Sequence, residues 1–528
     1  MLTGRVGTLL LAAAITVGSP QLAGEGATID APPIEVPEPA LGGAGPESTP
    51  PRAAVASQDE ASSDGARFDG WNVTVRTDPG YANEQILEVA FDSPVLGLRT
   101  IMLVWLPDRY AGVEEPLPTL YYLHGTTHSN SFGVAQELAE QGVDAPAGLR
   151  PGSGRGSPFG VGFHENLDEQ QFVVVAPDMQ FPAWCGHCWW IDGRDGQGVD
   201  AETHLFEEVV PLTEHLFGVR SDRSGRAILG ASMGANGALL QAFRHPDRFA
   251  FVGGLSPTYS GFGHAVPPFL QVHGGNIWWQ YIQDQGYGHP AQDEIHYRAL
   301  EPVNLTPQML SADVEIVAVN GDGCLPVAPD EGACENADPH LEEFIWHHTM
   351  GVWSSLLVER GVEHTWIERE GPHGGINRDS YERWFLPRIN QRFAEGVDTP
   401  ERFSYRTIDL DFDIWGYEVQ VDRTNTEFLS LLDAGTDGRA LTLAGTGVVT
   451  LRTPPVVDRG RRDGRTYEVT GTPDSAPAWT QTVVTDDEGR LTFTFELAPG
   501  RDVDERIELV QTGAFVFPRT RIAITPIE

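Results

Sequence analysis

Lysine is absent from this chain. All 35 basic residues are arginine, set against 75 acidic ones, for a formal net charge of −40 over 528 residues. Such a surface repels phosphate backbones and anionic headgroups, which excludes nucleic acid and acidic membranes as partners. The charge has two readings: background composition that favours solubility, or adaptation to high salt, where self-repulsion is screened. Cysteine is scarce. The four residues form two local pairs, Cys185 and Cys188 in "WCGHCW" and Cys324 and Cys334 in "GDGCLPVAPDEGAC". Local pairs of this kind suggest two disulfides that pin loops in an oxidising compartment. A redox C-x-x-C more often opens a helix, whereas this one sits among tryptophans in a loop. Nothing in the sequence calls for a metal or a cofactor.

Long apolar runs are also missing, with one exception. "MLTGRVGTLLLAAAITVGSPQLAGEGA" places one arginine before an apolar stretch and small residues after it. Residues 1–25 therefore read as a signal peptide, too short for a comfortable membrane span, and the protein is expected to be secreted. An uncleaved N-terminal anchor is the other reading. Residues 26–66 are rich in Pro, Ala, Gly, Glu and Ser and lack the apolar area to fold, so they read as a disordered linker.

What is present begins after that linker. Over 67–398, strand-like runs alternate with helix-like ones. "RTIMLVWLP" and "TLYYLHG" read as neighbouring strands, "QFVVVAPD" as a buried strand, and "HLFEEVVPLTEHLFGV" as a helix. "RAILGAS" reads as a strand leading into the helix "GANGALLQAFRHP", and "FVGGLSP", "VEIVAVNGD" and "HTWIEREGPHG" supply three more strands. The alternation predicts an α/β domain with a mostly parallel sheet, whose ligands bind at the carboxyl ends of the strands. Over 403–528 the pattern becomes short period-2 runs such as "YEVQVD", "ALTLAG" and "LTFTFELAPG", separated by turn signals. That predicts an all-β sandwich in which the nine residues "TEFLSLLDA" are the longest helix-like stretch.

Gly230-Ala231-Ser232-Met233-Gly234 matches G-x-S-x-G between a predicted strand and a predicted helix. Small neighbours let the chain bend sharply there and hold the Ser232 hydroxyl out at the sheet's edge. A serine needs a base, expected on a loop after a late strand. Of 16 histidines, His373 in "EREGPHGGINRDSYERWF" meets that requirement. His364 falls in the strand, and His347 and His348 in a helix-like stretch. The third member should be a carboxylate after "VEIVAVN". Asp330, Asp322 and Glu331 are the candidates, with Asp330 favoured because a pinned loop would hold it firmly. The oxyanion needs two backbone donors, expected at Met233 and Thr126. Aromatics at Trp184, Trp189, Trp190, Trp278, Trp279 and Tyr281 either line a cleft together with His128 or pack a lid and the core.

The runs "RTIMLVWLPDRY", "LPTLYYLHGTT", "GASMGANGALLQAFRHPDRFAFVGGLSP" and "EGPHGGINRDSYERWF" together resemble the putative-esterase family of α/β hydrolases. That family includes esterase D, feruloyl and acetyl-xylan esterase domains, and the mycolyltransferases. The resemblance spans roughly 75–395 and implies an α/β-hydrolase fold, Ser232 as nucleophile and His373 as general base. Counting back from "HLEEF", it puts the acid of the mycolyltransferase-like branch near Asp330. It implies a secreted serine esterase working through an acyl-enzyme on a small-molecule, polysaccharide or lipid ester. The alternatives are an acyltransferase with the same triad, and a surface-binding protein in which the C-terminal sandwich contacts glycan or a cell surface. The resemblance says nothing about the sandwich.

Overall fold

The computed structural model describes residues 65–77, 83–125, 157–179, 188–194, 198–257, 286, 293–323, 337–456, 464–497 and 517–527, with only the backbone for 337–345. Nine strands form the first sheet: β1 (Thr74–Thr77), β2 (Ile86–Ser93), β3 (Leu98–Trp105), β4 (Thr119–Leu123), β5 (Val173–Pro177), β6 (Arg226–Ala231), β7 (Phe251–Leu255), β8 (Glu315–Gly321) and β9 (Thr365–Arg369). Their order is β1-β2-β3-β5-β4-β6-β7-β8-β9. The first three form an antiparallel meander, β5 joins β3 antiparallel, and all pairs from β5 to β9 are parallel.

Strands β4, β5, β6 and β7 are buried at every position, as their unbroken apolar runs require when helices cover both faces of a parallel sheet. Alternate residues feed two cores. Leu120, Tyr122, Val174 and Leu229 enter one, and Tyr121, Leu123, Val175 and Ile228 the other. This is the α/β-hydrolase fold. One expected neighbourhood is corrected: β3 and β4 do not touch along their length, because β5 inserts between them. The chain leaves β4 toward β5 on one side and returns to β6 on the other. The carboxyl end of β4 is thus a switch point, where a crevice opens above the sheet.

Four helices matter for the site: α1 (Val210–Phe217), α2 (Met233–Arg244), α3 (Ala337–Glu359) and α4 (Leu386–Glu395). The turns entering α1 and α4, Leu205–Val209 and Tyr381–Phe385, are π-helical. Each precedes a proline, Pro211 or Pro387, that has no N–H to donate to the fourth residue back, and the wider turn accommodates the missing bond.

The C-terminal part is a two-sheet β-sandwich. One sheet holds β10 (Arg402–Thr407), β13 (Leu429–Gly435), β14 (Ala440–Ala444), β16 (Thr466–Pro473), β17 (Trp479–Val484) and β19 (Arg519–Pro526), in the order β10-β13-β14-β19-β16-β17. The other holds β11 (Asp411–Ile414), β12 (Tyr417–Asp422), β15 (Val448–Arg452) and β18 (Thr492–Glu496) in sequence order. Alternation shows cleanly on β12, where Tyr417, Val419 and Val421 point into the core and their neighbours into solvent. The helix-like run "TEFLSLLDA" is corrected as well. Its residues from Leu429 enter β13, since antiparallel partners β10 and β14 satisfy its backbone on both edges and bury Leu429 and Leu431.

The sandwich and the α/β part lie within one unit, Thr49–Glu528, and polar contacts join them around the end of α2. Arg244 bridges Glu202 Oε1 at 2.9 Å and Asp409 Oδ2 at 3.1 Å. Arg248 pairs with Asp413 at 2.6 Å, the Trp415 N–H donates to Asp247 at 3.0 Å, and the Arg223 guanidinium lies 5.1 Å from the Trp415 ring. The helix that starts at the candidate nucleophile thus ends in the sandwich's grip.

Burial alone would raise the pKa of Glu202, but Arg244 and His245 outweigh it and hold the group down at about 2, from an ordinary 4.5. A carboxylate depressed in the folded state adds stability above its unfolded pKa, and that stability drains away as pH falls from about 4.5 toward 2. Glu202→Gln is expected to cost about 3 kcal/mol at neutral pH, because it leaves Arg244 with half of its anionic partners. Urea unfolding at a series of pH values checks this: the gap between parent and variant should close as the pH falls. A gap independent of pH would remove the ion pair from the account.

Candidate active site

At the end of β6 the chain reverses into α2 through Ser232, whose backbone adopts φ 56° and ψ −120°. Few L-residues tolerate that region, and the strain costs of order 1–3 kcal/mol. Three backbone hydrogen bonds hold it: the Ser232 N–H donates to Leu255 O at 2.9 Å, and its carbonyl accepts from Ala235 N at 3.0 Å and Asn236 N at 3.2 Å. The flanking glycines permit the turn by close approach. A Cβ at Gly230 would lie 2.0 Å from the Gly234 carbonyl oxygen, and one at Gly234 would lie 1.9 Å from the Leu123 oxygen. Both obstacles are backbone, which cannot swing aside. Helix α2 can therefore start directly against the end of β4 only without those methyl groups.

Ser232 is half-buried, and its Oγ lies 2.9 Å from His373 Nε2, across 141 residues of chain. The loop carrying His373 follows β9. It turns through Gly371 and Gly374, both at positive φ, and is closed by Gly375 N–H donating to Pro372 O at 3.0 Å. Below it the aromatic turn is anchored: Tyr381 is fully buried, accepts from Gln170 Nε2 at 3.0 Å, and stands edge-on to Phe163. The side chains that flank the loop, Arg369 and Asp379, form an ion pair. The other wall of His373 is Trp346 on α3, with ring centroids 4.5 Å apart and planes at 71°.

Met233 opens α2, so its N–H belongs to the first turn, where the helix supplies no acceptor. That amide faces the same helix end as Ser232, and the positive end of the helix dipole favours developing negative charge there. The end of β4 is shaped by His124, fully buried. Its Nδ1 lies 2.8 Å from the Gly125 carbonyl, and its Nε2 accepts from Met179 N–H at 3.0 Å. Burial keeps the imidazole pKa below its ordinary value, so the ring is neutral and holds one tautomer. Nothing in the sequence pattern points to His124.

Several expected site residues fall elsewhere. Asp322 is exposed, and its carboxylate accepts from the Gly371 N–H at 3.1 Å; it makes no hydrogen bond to His373. Trp189 and Trp190, expected along a cleft, are 3% and 0% exposed and sit in the core. Both adopt positive φ, which turns their indoles inward. Trp190 Nε1 donates to His124 O at 3.2 Å, and the residue's Cβ sits where a side chain on Gly237 would go, 2.6 Å away. Trp190 thus supports the elbow helix from beneath and offers no open ring face. His364 precedes β9 and lies outside it, with Ser354 Oγ 2.7 Å from its Nε2, while His347 and His348 ride on α3. Thr126, His128, Asp330, Glu331, Trp184, Trp278, Trp279, Tyr281, Cys185, Cys324 and Cys334 lie outside the described residues. Cys188 is buried and is not a free thiol. Among the described residues no group of three or more His, Cys, Asp or Glu is placed to hold a metal ion, and no helix is long and apolar enough to cross a membrane.

Known proteins resemble parts of this chain. Residues 194–323 match the family model described as "Putative esterase", a segment that includes Ser232 and ends before His373. Two curated esterases of Mycobacterium tuberculosis, from strains CDC 1551 and H37Rv, are each 24% identical over 259 residues, 48% of this chain. The match spans about half the length of those relatives (49%). Among solved structures, a ferulic acid esterase is 19% identical with a TM-score of 0.37, covering 58% of this chain and 98% of its own. An S-formylglutathione hydrolase from Agrobacterium tumefaciens is 16% identical with a TM-score of 0.39, covering 60% and 98%. Mycobacterium tuberculosis MPT51 is 14% identical with a TM-score of 0.37, covering 58% and 96%. Over residues 194–323, the segment that carries the Ser232 elbow, the chain is similar to the putative-esterase family.

Proposed function

We propose that the protein is a secreted serine carboxylic-ester hydrolase, with Ser232 as nucleophile and His373 as general base. One observation carries the reading: a hydroxyl held out on a strained strand-to-helix turn, 2.9 Å from an imidazole nitrogen. Nε2 takes the hydroxyl proton as Oγ attacks the ester carbonyl, and the same nitrogen returns it to the departing alcohol. The tetrahedral oxygen rests on the Met233 amide and, in this reading, on that of Thr126. Water then attacks the acyl-Ser232 ester, giving its proton to His373, which passes it to Ser232 Oγ as the C–Oγ bond breaks and the carboxylic acid departs. In this reading Asp330 is the favoured orienting carboxylate, with Asp322, whose Oδ1 accepts from the Gly371 N–H, and Glu331 as the other candidates.

A fluorophosphonate reporter tests the nucleophile directly. It reacts only with a serine whose proton has somewhere to go, and it stays on after losing fluoride. One equivalent of label, mapped to the peptide containing Ser232, is the expected result. Full activity with no label at that residue would end the assignment.

A further inference from the structure

We infer that Trp346 is a positioning residue for the general base, holding the His373 imidazole in line with Ser232. The inference rests on the esterase reading above and goes beyond it. Trp346 sits on α3, 5% exposed, and its indole meets the His373 ring edge to face at 4.5 Å. The imidazole Nε2 meets Ser232 Oγ at 2.9 Å. The imidazole thus touches both its proton donor and an aromatic ring. It rides on a loop that turns through Gly371 and Gly374, both at positive φ. A histidine ring free to turn about χ2 would lose its line to the hydroxyl, and that alignment sets the rate of proton transfer.

The cost of the arrangement argues that it is not packing alone. The indole Nε1 of Trp346 is buried with no hydrogen-bond partner. An unsatisfied buried donor destabilises a fold, and a leucine or phenylalanine in the same space would avoid that penalty. Tryptophan offers here what leucine cannot, a broad rigid π surface against the imidazole, which favours one ring orientation. The contact also places aromatic quadrupole next to a ring that gains a positive charge during each proton transfer, so it couples to the ring's protonation.

The test uses Trp346→Leu and Trp346→Phe beside Ser232→Ala, all in the full chain, with p-nitrophenyl butyrate as substrate. Trp346→Phe keeps the aromatic wall and drops the orphan donor. It is expected to keep kcat within about threefold and to melt no lower than the parent. Trp346→Leu keeps apolar bulk but loses the wall. Its kcat should fall about tenfold with KM unchanged, and the acid limb of its kcat/KM profile should move by a few tenths of a pH unit. A merely structural role predicts a lower melting temperature with an unmoved pH profile. Parent-like kcat and an unmoved acid limb in Trp346→Leu, with Ser232→Ala inactive, overturn this inference alone. Undiminished hydrolysis by Ser232→Ala overturns the esterase reading and this inference with it.

Discussion

Ser232→Ala is expected to lower kcat for p-nitrophenyl butyrate by about 10⁴-fold or more, a loss of roughly 5.5 kcal/mol of transition-state stabilisation. His373→Ala should lose about as much, and the double variant little more than either, because nucleophile and base act as one unit. Oxyanion donors and binding would still leave a residual rate above that in water. The same position should show function and stability pulling apart. Ser232 is held at φ 56°, where glycine is at ease and serine is not. Ser232→Gly should therefore be as inactive as the alanine variant yet more stable than the parent, by about 1 kcal/mol in urea unfolding. A glycine variant that is both inactive and less stable would mean the turn is not strained, and the elbow would lose its physical basis.

Gly234→Ala is expected to be among the most damaging single methyls at the described glycines. Its Cβ would stand 1.9 Å from the Leu123 oxygen, 2.5 Å from the Leu123 carbonyl carbon and 2.6 Å from the His124 oxygen. All three atoms are backbone at the end of β4, where Leu123 pairs with Gly230 of β6. Relief requires moving the start of α2 off the sheet, and that start carries both Ser232 and the Met233 amide. Overpacking against side chains costs about 1–3 kcal/mol, and rigid backbone should push the cost to the upper end or beyond. The variant should show a lower urea midpoint together with a large fall in kcat. Parent-like values in both measurements would mean that α2 does not press on β4 as closely as the geometry states.

Much of this was legible in the residues. The Gly230-to-Gly234 frame could be read because a tight strand-to-helix turn constrains only five consecutive residues, and its demand for small side chains appears directly in the sequence. The β4, β6 and β7 runs and the alternation of β12 were readable because burial on two faces or one leaves a period that needs no partner to be seen. The run "TEFLSLLDA" was misleading for the complementary reason. Its local spacing suits a helix, and only the edges of β10 and β14 make it a strand. Trp190 shows the same limit, since two successive positive-φ residues, invisible in a composition of loop aromatics, turn it into the core.

The sequence alone determined where the candidate nucleophile stands, where the buried parallel strands run, and that a histidine after the last parallel strand is the one to watch. Tertiary structure alone decided that β5 parts β3 from β4, that Asp322 turns to Gly371, that His373 reaches Ser232, and that Trp346 backs it. The division follows from range. Turn chemistry and burial period are written within a few residues, whereas a contact across 141 residues depends on how every intervening crossover packs.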